Sequence, residues 1–276
     1  MAAGLALLAA LFFGSSDFLG GRATRQTSLI SVVATSHLVG LVFIGGIAPI
    51  IADQFGALDL FIGMLAGAFE LLGLVFLYRG LARGPMVITA PVAAVCNAAL
   101  PVLWGVMFGE YLSRLQVIGI LIGLVSILLV SGVSTGGGRL SVGLLFESVL
   151  AGVGFAGSYI VMSVTDQASA PWPVVGARIM SVFVVFVLIV ALRQSPKPAI
   201  GTTKWLVSIG VLNGLANVAL LAALNRGHLS LASVLSSLYP VTTIGLASVI
   251  LRERMRPSQV IGLTGAMATI VLVVAG

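Results

Sequence analysis

A succession of apolar runs constrains this chain more than any other feature. Each run is about as long as a bilayer is thick, and each is closed by a short charged or turn-rich break. A helix needs roughly 20 predominantly apolar residues to cross the hydrocarbon core. Ten runs of that kind lie near 2–20, 29–50, 58–78, 85–107, 115–133, 142–164, 172–192, 204–224, 229–251 and 257–275. The breaks are of recognisable types, such as Gly20-Gly21-Arg22, Asp53 to Asp59, Arg79 to Pro85, Ser195-Pro196-Lys197-Pro198 and Arg252 to Pro257. None is long enough to hold a separate soluble domain. Only 8% of the 276 residues are charged, against roughly 25% in a soluble domain. A soluble fold with 59% hydrophobic residues could not cover its surface with polar groups. The sequence therefore predicts an all-α integral membrane protein with ten transmembrane helices.

The same scarcity of polar residues narrows the chemistry. One cysteine, Cys96, excludes a disulfide framework and a cysteine-based zinc site. Two histidines and eight acids leave little for metal or acid–base work, so no metal site is expected. The net charge of +6 comes from bases scattered among loops, which reads as a topology signal and not as a nucleic-acid footprint. The first run lacks the basic segment that opens a signal peptide, and is expected to stay in the mature protein. There is no Walker motif, so ATP hydrolysis is not expected.

Shifted by 143 residues, the chain aligns on itself without gaps. Leu81-Ala82-Arg83-Gly84 falls on Leu224-Asn225-Arg226-Gly227, and Gln116-Val117-Ile118-Gly119 on Gln259-Val260-Ile261-Gly262. Glu110 falls on Glu253, and Gly14-Ser15 on Gly157-Ser158. Apolar helices resemble one another by composition, but here charged and glycine positions coincide in register. The reading is two five-helix repeats, 1–133 and 144–276, joined by a Gly-rich linker at 134–143 that includes Ser134 to Arg139. Because five is odd, the second repeat must cross in the opposite sense. Inverted repeats are common in secondary transporters, with the substrate held near the midplane between the halves.

At this point the chain resembles the EamA-type members of the drug/metabolite transporter superfamily. The residues that carry the resemblance are Phe13-Gly14-Ser15-Ser16, Pro240, Leu251-Arg252-Glu253-Arg254 and Gln259-Val260-Ile261-Gly262. A weaker first copy runs from Asn97, which stands where the second copy has Pro240, through Gly109-Glu110 to Gln116-Val117-Ile118-Gly119. The resemblance covers essentially the whole chain. It implies a carrier for small organic metabolites, often an exporter of amino acids or related compounds. It also suggests a cavity lined by runs 1, 3, 4, 6, 8 and 9, where the polar and proline residues concentrate.

Loops after the odd-numbered runs carry Arg22, Arg25, Arg79, Arg83, Arg139, Arg193, Lys197, Lys204, Arg252, Arg254 and Arg256, whereas the other side carries only Arg114 and Arg226. The positive-inside rule puts the rich side in the cytoplasm. Both termini are then expected outside a multi-pass protein of the inner (cytoplasmic) membrane.

An ionisable side chain inside a run must face the protein interior or a water-filled cavity, because lipid offers no partner. Glu70, near the middle of run 3, is the clearest case. Its counterpart in the second repeat is Asn213, and Asn217 lies one turn further on the same face. Glu70, Asn213 and Asn217 are read as parts of one central substrate site; the alternative is that they tie helices together. Desolvation disfavours a charged carboxyl, so Glu70 is a candidate for proton coupling, or for pairing with a substrate ammonium. If neither holds, the deep partner open to it is Arg178. Asp17 and Ser16 could line a cavity mouth, while a structural use for Asp17 is to cap the following loop beside Arg22. Glu147 suits a helix N-terminus, and His37 an interior hydrogen bond.

Tyr159, Tyr239, Trp104 and Asn97 complete the candidate lining; aromatic rings with polar handles can stack on or hydrogen-bond a ligand. Trp172 and Trp205, at run ends, suit interfacial anchoring. Pro91 and Pro101 in run 4 and Pro240 in run 9 each remove an intrahelical hydrogen bond, and paired interruptions of this kind mark a gating region. Gly119, Gly123, Gly262 and Ala266 sit at the spacing that lets helices approach closely. That face fits an internal contact, or a homodimer. The resulting expectation is a secondary transporter without cofactor, apart from a proton, working by alternating access and not an enzyme. Alternatives are an integral-membrane enzyme acting on a lipid-type substrate, or a passive pore that would lack saturation and counterflow.

Overall fold

A computed structural model describes residues 1–24, 26–83, 86–130, 142–250 and 256–276, with the side chains of 29, 77–83, 86–92, 130, 144, 244 and 247 left out. Arg25, the linker stretch up to residue 141, the Leu251 to Arg254 motif and the side chains of Arg79, Arg83 and Pro91 therefore lie outside the described residues. Among the described residues all regular structure is helical. The α-helices are α1 (Ala2–Ala23), α2 (Leu29–Ile51), α3 (Ala57–Arg83), α4 (Met86–Met107), α5 (Arg114–Val130), α6 (Val142–Met162), α7 (Trp172–Leu192), α8 (Thr203–Leu224), α9 (Leu229–Ser236), α10 (Tyr239–Ile250) and α11 (Pro257–Ala275). Among the described residues, eight helices are long and apolar enough to cross a membrane, the one over Leu229–Ile250 spanning α9 and α10. Two shorter apolar helices, Ala93–Met107 and Arg114–Leu129, accompany them.

The repeated motif Gln-Val-Ile-Gly has a mechanical meaning. Gln116 opens α5 by accepting the Ser113 N–H at 2.9 Å, while Ser113 Oγ accepts the Gln116 N–H at 3.2 Å. Gln259 opens α11 in the same way, accepting the Arg256 N–H at 2.9 Å. Each pairing satisfies donors that a helix start would otherwise leave orphaned. Three residues on, the glycine is set into the contact between the two helices. A Cβ at Gly119 would meet Leu272 and Val273 at 3.1 Å, and one at Gly123 would meet Thr269 and Val234 at 3.0 Å. Ala266 is buried on the facing helix and Gly262 with it. The small-residue face is thus filled within the chain by α5 against α11, and is not left open for a second copy.

Packing partners exchange consistently between the halves. Helix α3 lies against α6 as α1 lies against α8, and α3 against α7 as α2 against α8. Helix α4 packs on α6 as α9 and α10 pack on α1. Gly67 and Gly210, at equivalent positions of the repeat, both sit at close backbone approaches. A Cβ at Gly67 would come 2.6 Å from the Ala177 carbonyl oxygen, and one at Gly210 would come 2.5 Å from that of Ser36. With no hydrophobic drive between helices in lipid, contacts this close supply the dispersion energy that holds them. Large apolar side chains such as Val42, Phe61, Leu121 and Phe186 face outward, where lipid tails would solvate them.

The predicted run 9 is broken in two at Ser237-Leu238. Pro240 has no N–H to offer the Ser236 carbonyl, and the chain tightens locally, with Leu238 N–H bonded to Leu235 O at 3.3 Å and Val241 N–H to Leu238 O at 2.9 Å. Helix α4 runs unbroken through Pro91 and Pro101. The expected pair of interruptions is therefore present in one half only; losing one hydrogen bond does not oblige a helix to break when its neighbours hold.

Loops dock in two sets. In one, Ser169 Oγ donates to Asp59 at 2.6 Å, the Leu229 and Ser230 N–H groups donate to Glu110, Gly227 lies against Ala2, and Gly276 lies against Ser113. In the other, Ser31 Oγ donates to Lys197 O at 3.1 Å and Ala199 N–H to Thr27 Oγ1 at 3.0 Å. Both termini thus lie against loops of the first set. The boundary expected at 143–144 falls inside α6, which starts at Val142.

Candidate functional site

Arg178 is the hub of a buried polar assembly. It lies almost two turns into α7, is 1% exposed, and heads the largest fully buried side chains. Its Nη1 is 3.6 Å from Glu70 Oε1 on α3 and 3.4 Å from His37 Nδ1 on α2. Its Nη2 donates to Asn213 Oδ1 on α8 at 2.5 Å. Asn217 closes the set, donating from Nδ2 to Asn213 O at 3.0 Å and Oδ1 at 3.2 Å. Gly40 lies beside the guanidinium stem, and a Cβ there would stand in ordinary contact with Arg178 Cδ at 3.6 Å. An uncompensated charge here would cost several kcal/mol; the carboxylate and the amide oxygen offset that cost. Glu70 and Asn213, equivalent positions of the repeat, thus grip one guanidinium from both halves. The pairing with Arg178, one of the readings open to Glu70, is present.

A second polar assembly surrounds the break between α9 and α10. Asn97 Nδ2 donates to Ser237 Oγ at 3.3 Å, and both residues are buried. The Tyr159 hydroxyl on α6 lies near the side chains of Ser236 and Asn97. Tyr239, the first residue of α10, lies within electrostatic reach of Tyr159 and of Asp17. Backbone packing places Asp17. A Cβ at Gly14 would strike Tyr239 O and Thr242, and Thr243 Oγ1 donates to Gly14 O at 3.1 Å. Asp17 lies three residues on, over that same face. It keeps solvent-accessible surface, and among the described residues it has no ion pair. Its expected partner is engaged elsewhere: α1 continues through Ala23, and the Arg22 guanidinium lies 4.3 Å over the Trp205 ring.

The other candidates are placed as follows. Ser16 is buried and donates to Ile209 O at 3.4 Å, tying α1 to α8. Trp104 stands apart from both assemblies, 42% exposed and stacked on Phe108 at 4.4 Å; its helix turns that ring outward. Trp172 meets Phe55 edge to face at 4.8 Å. Glu147 is buried beyond the first turn of α6 and has a partner of its own. Sequence reasoning passed over Ser233, Ser236 and Ser237, although serines at helical spacing just before Tyr239-Pro240 were the available signal. It also treated Arg178 as secondary, although Arg178 is the one arginine deep within a run.

Several buried polar atoms have no hydrogen-bond partner among the described residues: Glu70 Oε2, Arg178 Nε, Asn97 Oδ1 and Ser233 Oγ. Native interiors rarely leave such groups unsatisfied. The two assemblies therefore hold unused hydrogen-bonding capacity where helices from both halves meet. No group of three or more His, Cys, Asp or Glu placed to hold a metal occurs among the described residues.

Comparison with known proteins adds three findings. The model of the EamA-like transporter family matches residues 1–132 and 142–275. No curated protein matches the chain. A solved crystal structure, described only as that of a protein, superposes with a TM-score of 0.81 at 19% identity, covering 98% of this chain and 95% of that one. At that identity the likeness is one of fold.

Proposed function

The chain belongs to the EamA-like transporter family of the drug/metabolite transporter superfamily, a multi-pass membrane transporter, and from that premise we propose that it is a secondary carrier exporting small organic metabolites. Amino acids and related compounds are the first class to test. In this reading the chain crosses the inner (cytoplasmic) membrane ten times as two inverted five-helix repeats, α9 and α10 counting as one crossing, with both termini outside. A central cavity between the repeats opens alternately to either side. It uses no cofactor, with proton coupling as the energy source to be tested.

One observation carries the proposal. Polar side chains from both halves converge at helix mid-depth and keep unsatisfied atoms there, at Glu70, Arg178 and Asn97. A purely structural tie would be expected to consume its own donors and acceptors. A carrier leaves some for cargo. Carriers of inverted-repeat build also place the substrate where a helix is interrupted, and the Ser237-Leu238 break adjoins Asn97.

The test is a cellular efflux screen. Wild type and Glu70→Gln are expressed at matched membrane levels, cells are loaded with pooled amino acids, dipeptides and small organic cations, and efflux is followed by mass spectrometry. Efflux of one class that the variant loses is the expected outcome. Efflux no greater than that of cells lacking the protein would overturn export. Equal efflux by both proteins would keep the carrier and reduce Glu70 to a strut.

A further inference from the structure

We propose that Glu110 is a positioning residue of the transport cycle: its carboxylate latches α9 of the second half onto the α4–α5 turn of the first, and the cavity opens toward the side of the termini when that latch lets go. The proposal rests on the carrier reading and deepens it, by naming the contact that holds one gate shut. Helix α9 has only eight residues, with the Ser237-Leu238 break at its end. It is buried along most of its length and packs mainly on α4 and α1, both from the first half. Its N-cap, His228, offers no side-chain hydrogen bond. Glu110 takes that place from the other half. One carboxylate oxygen accepts the Leu229 N–H, and the other accepts the Ser230 N–H at 3.1 Å. A carboxylate on the first N–H groups of a helix satisfies orphaned donors and meets the positive end of its dipole.

The α4–α5 turn is built to present that carboxylate. Gly109 takes a φ of 96°, which a residue with a Cβ rarely adopts, and the Glu110 N–H returns to Gly105 O at 2.9 Å. Gly105 leaves the space that the latch fills: a Cβ there would lie 2.6 Å from Glu110 Cδ and 2.7 Å from Ser230 Oγ. Ser230 Oγ also donates to Val102 O at 3.4 Å, and His228 Nδ1 stands 3.9 Å from Glu110 Oε2. The contacts to His228, Leu229 and Ser230 all join the two halves. Opening the molecule between its halves on this side must break them. Helix α9 is about 12 Å long and ends at Ser237, whose hydroxyl meets Asn97. Its latched start and the polar assembly at its end therefore move as the two ends of one short rod.

The experiment uses the full chain in intact cells and in inside-out vesicles, with Cys96→Ala and with Ser237→Cys as the single reporter thiol. The probe is a methanethiosulfonate carrying a trimethylammonium group, which does not cross the bilayer. Labelling is timed from each face, and Ala2→Cys identifies the face of the termini. Glu110→Gln should speed labelling from that face at least fivefold and slow it from the opposite one. Gly105→Ala, which displaces the carboxylate while leaving Glu110 in place, should do the same, and the two together should do no more than either. A cap that only stabilises α9 would loosen the helix toward both faces alike, so equal acceleration from both overturns the proposal. So does an unchanged rate in folded variants, or an absence of labelling from the face of the termini in all of them. Gly105→Ala keeps the test decisive if Glu110→Gln does not reach the membrane. None of these outcomes touches the carrier reading, which falls only with the efflux screen.

Discussion

Arg178 shows how one side chain organises the middle of the molecule. It is charged, 1% exposed and touched by three other helices through Glu70, His37 and Asn213. Removing one member of a buried pair leaves the other charge uncompensated, at a cost of about 3–5 kcal/mol, whereas removing both can be nearly neutral. Arg178→Met and Glu70→Gln should each lower the unfolding midpoint of the purified protein. The double variant should recover part of the loss, so that a double-mutant cycle returns a coupling of at least about 1 kcal/mol. Additive losses would mean that the 3.6 Å approach of the two groups contributes nothing to stability. Both residues are visible in the sequence as charges inside apolar runs, but their pairing is not. Nothing local to run 3 or run 7 fixes which faces of α3 and α7 meet.

Helices are the scale at which the repeat acquires physical meaning. The two copies of Gln-Val-Ile-Gly are capping and packing devices that bring α5 and α11 together. Gly123→Leu should wedge that contact apart, since a Cβ alone already meets Thr269 and Val234 at 3.0 Å. Overpacking of this kind costs about 1–3 kcal/mol, and thermal unfolding in detergent checks it. The break before Tyr239-Pro240 is the other element-scale device. Pro240→Ala returns an N–H to the Ser236 carbonyl and should let α9 and α10 fuse. Transport turnover should then fall severalfold with little change in apparent substrate affinity, and unchanged kinetics would remove the break from the transport cycle. Sequence alone placed prolines in runs 4 and 9 alike. Only the packed structure distinguishes α4, which stays whole, from its counterpart, which does not.

Taken whole, the molecule is a set of helix pairs whose partners exchange between halves, with both termini resting on the same set of loops. In a Cys96→Ala background, single cysteines at Ala2 and Gly276 should react with a membrane-impermeant maleimide from one side, and a cysteine at Lys197 from the other. The positive-inside bias predicts that the termini are the pair labelled on intact cells. Labelling of Ala2→Cys and Gly276→Cys from opposite sides would break the topology on which the carrier reading depends.

By itself the sequence determined what depends on chemistry summed along the chain. Runs of apolar residues of bilayer length fix helices in a membrane, because a backbone in lipid must satisfy its own hydrogen bonds. The register of Arg, Glu, Gly and Gln positions fixes the repeat. It also marked Glu70, Asn213, Asn217, Tyr159, Tyr239, Asn97 and Asp17 as polar groups out of place. Tertiary structure decided what depends on rotation about each helix axis. It put Arg178 between Glu70 and Asn213, turned Trp104 outward onto Phe108, and sealed Gly119 and Gly123 inside the chain. A helix that is apolar on every side carries almost no periodic signal to say which face looks inward. That choice is made by close packing between helices, and close packing is not written in any one of them.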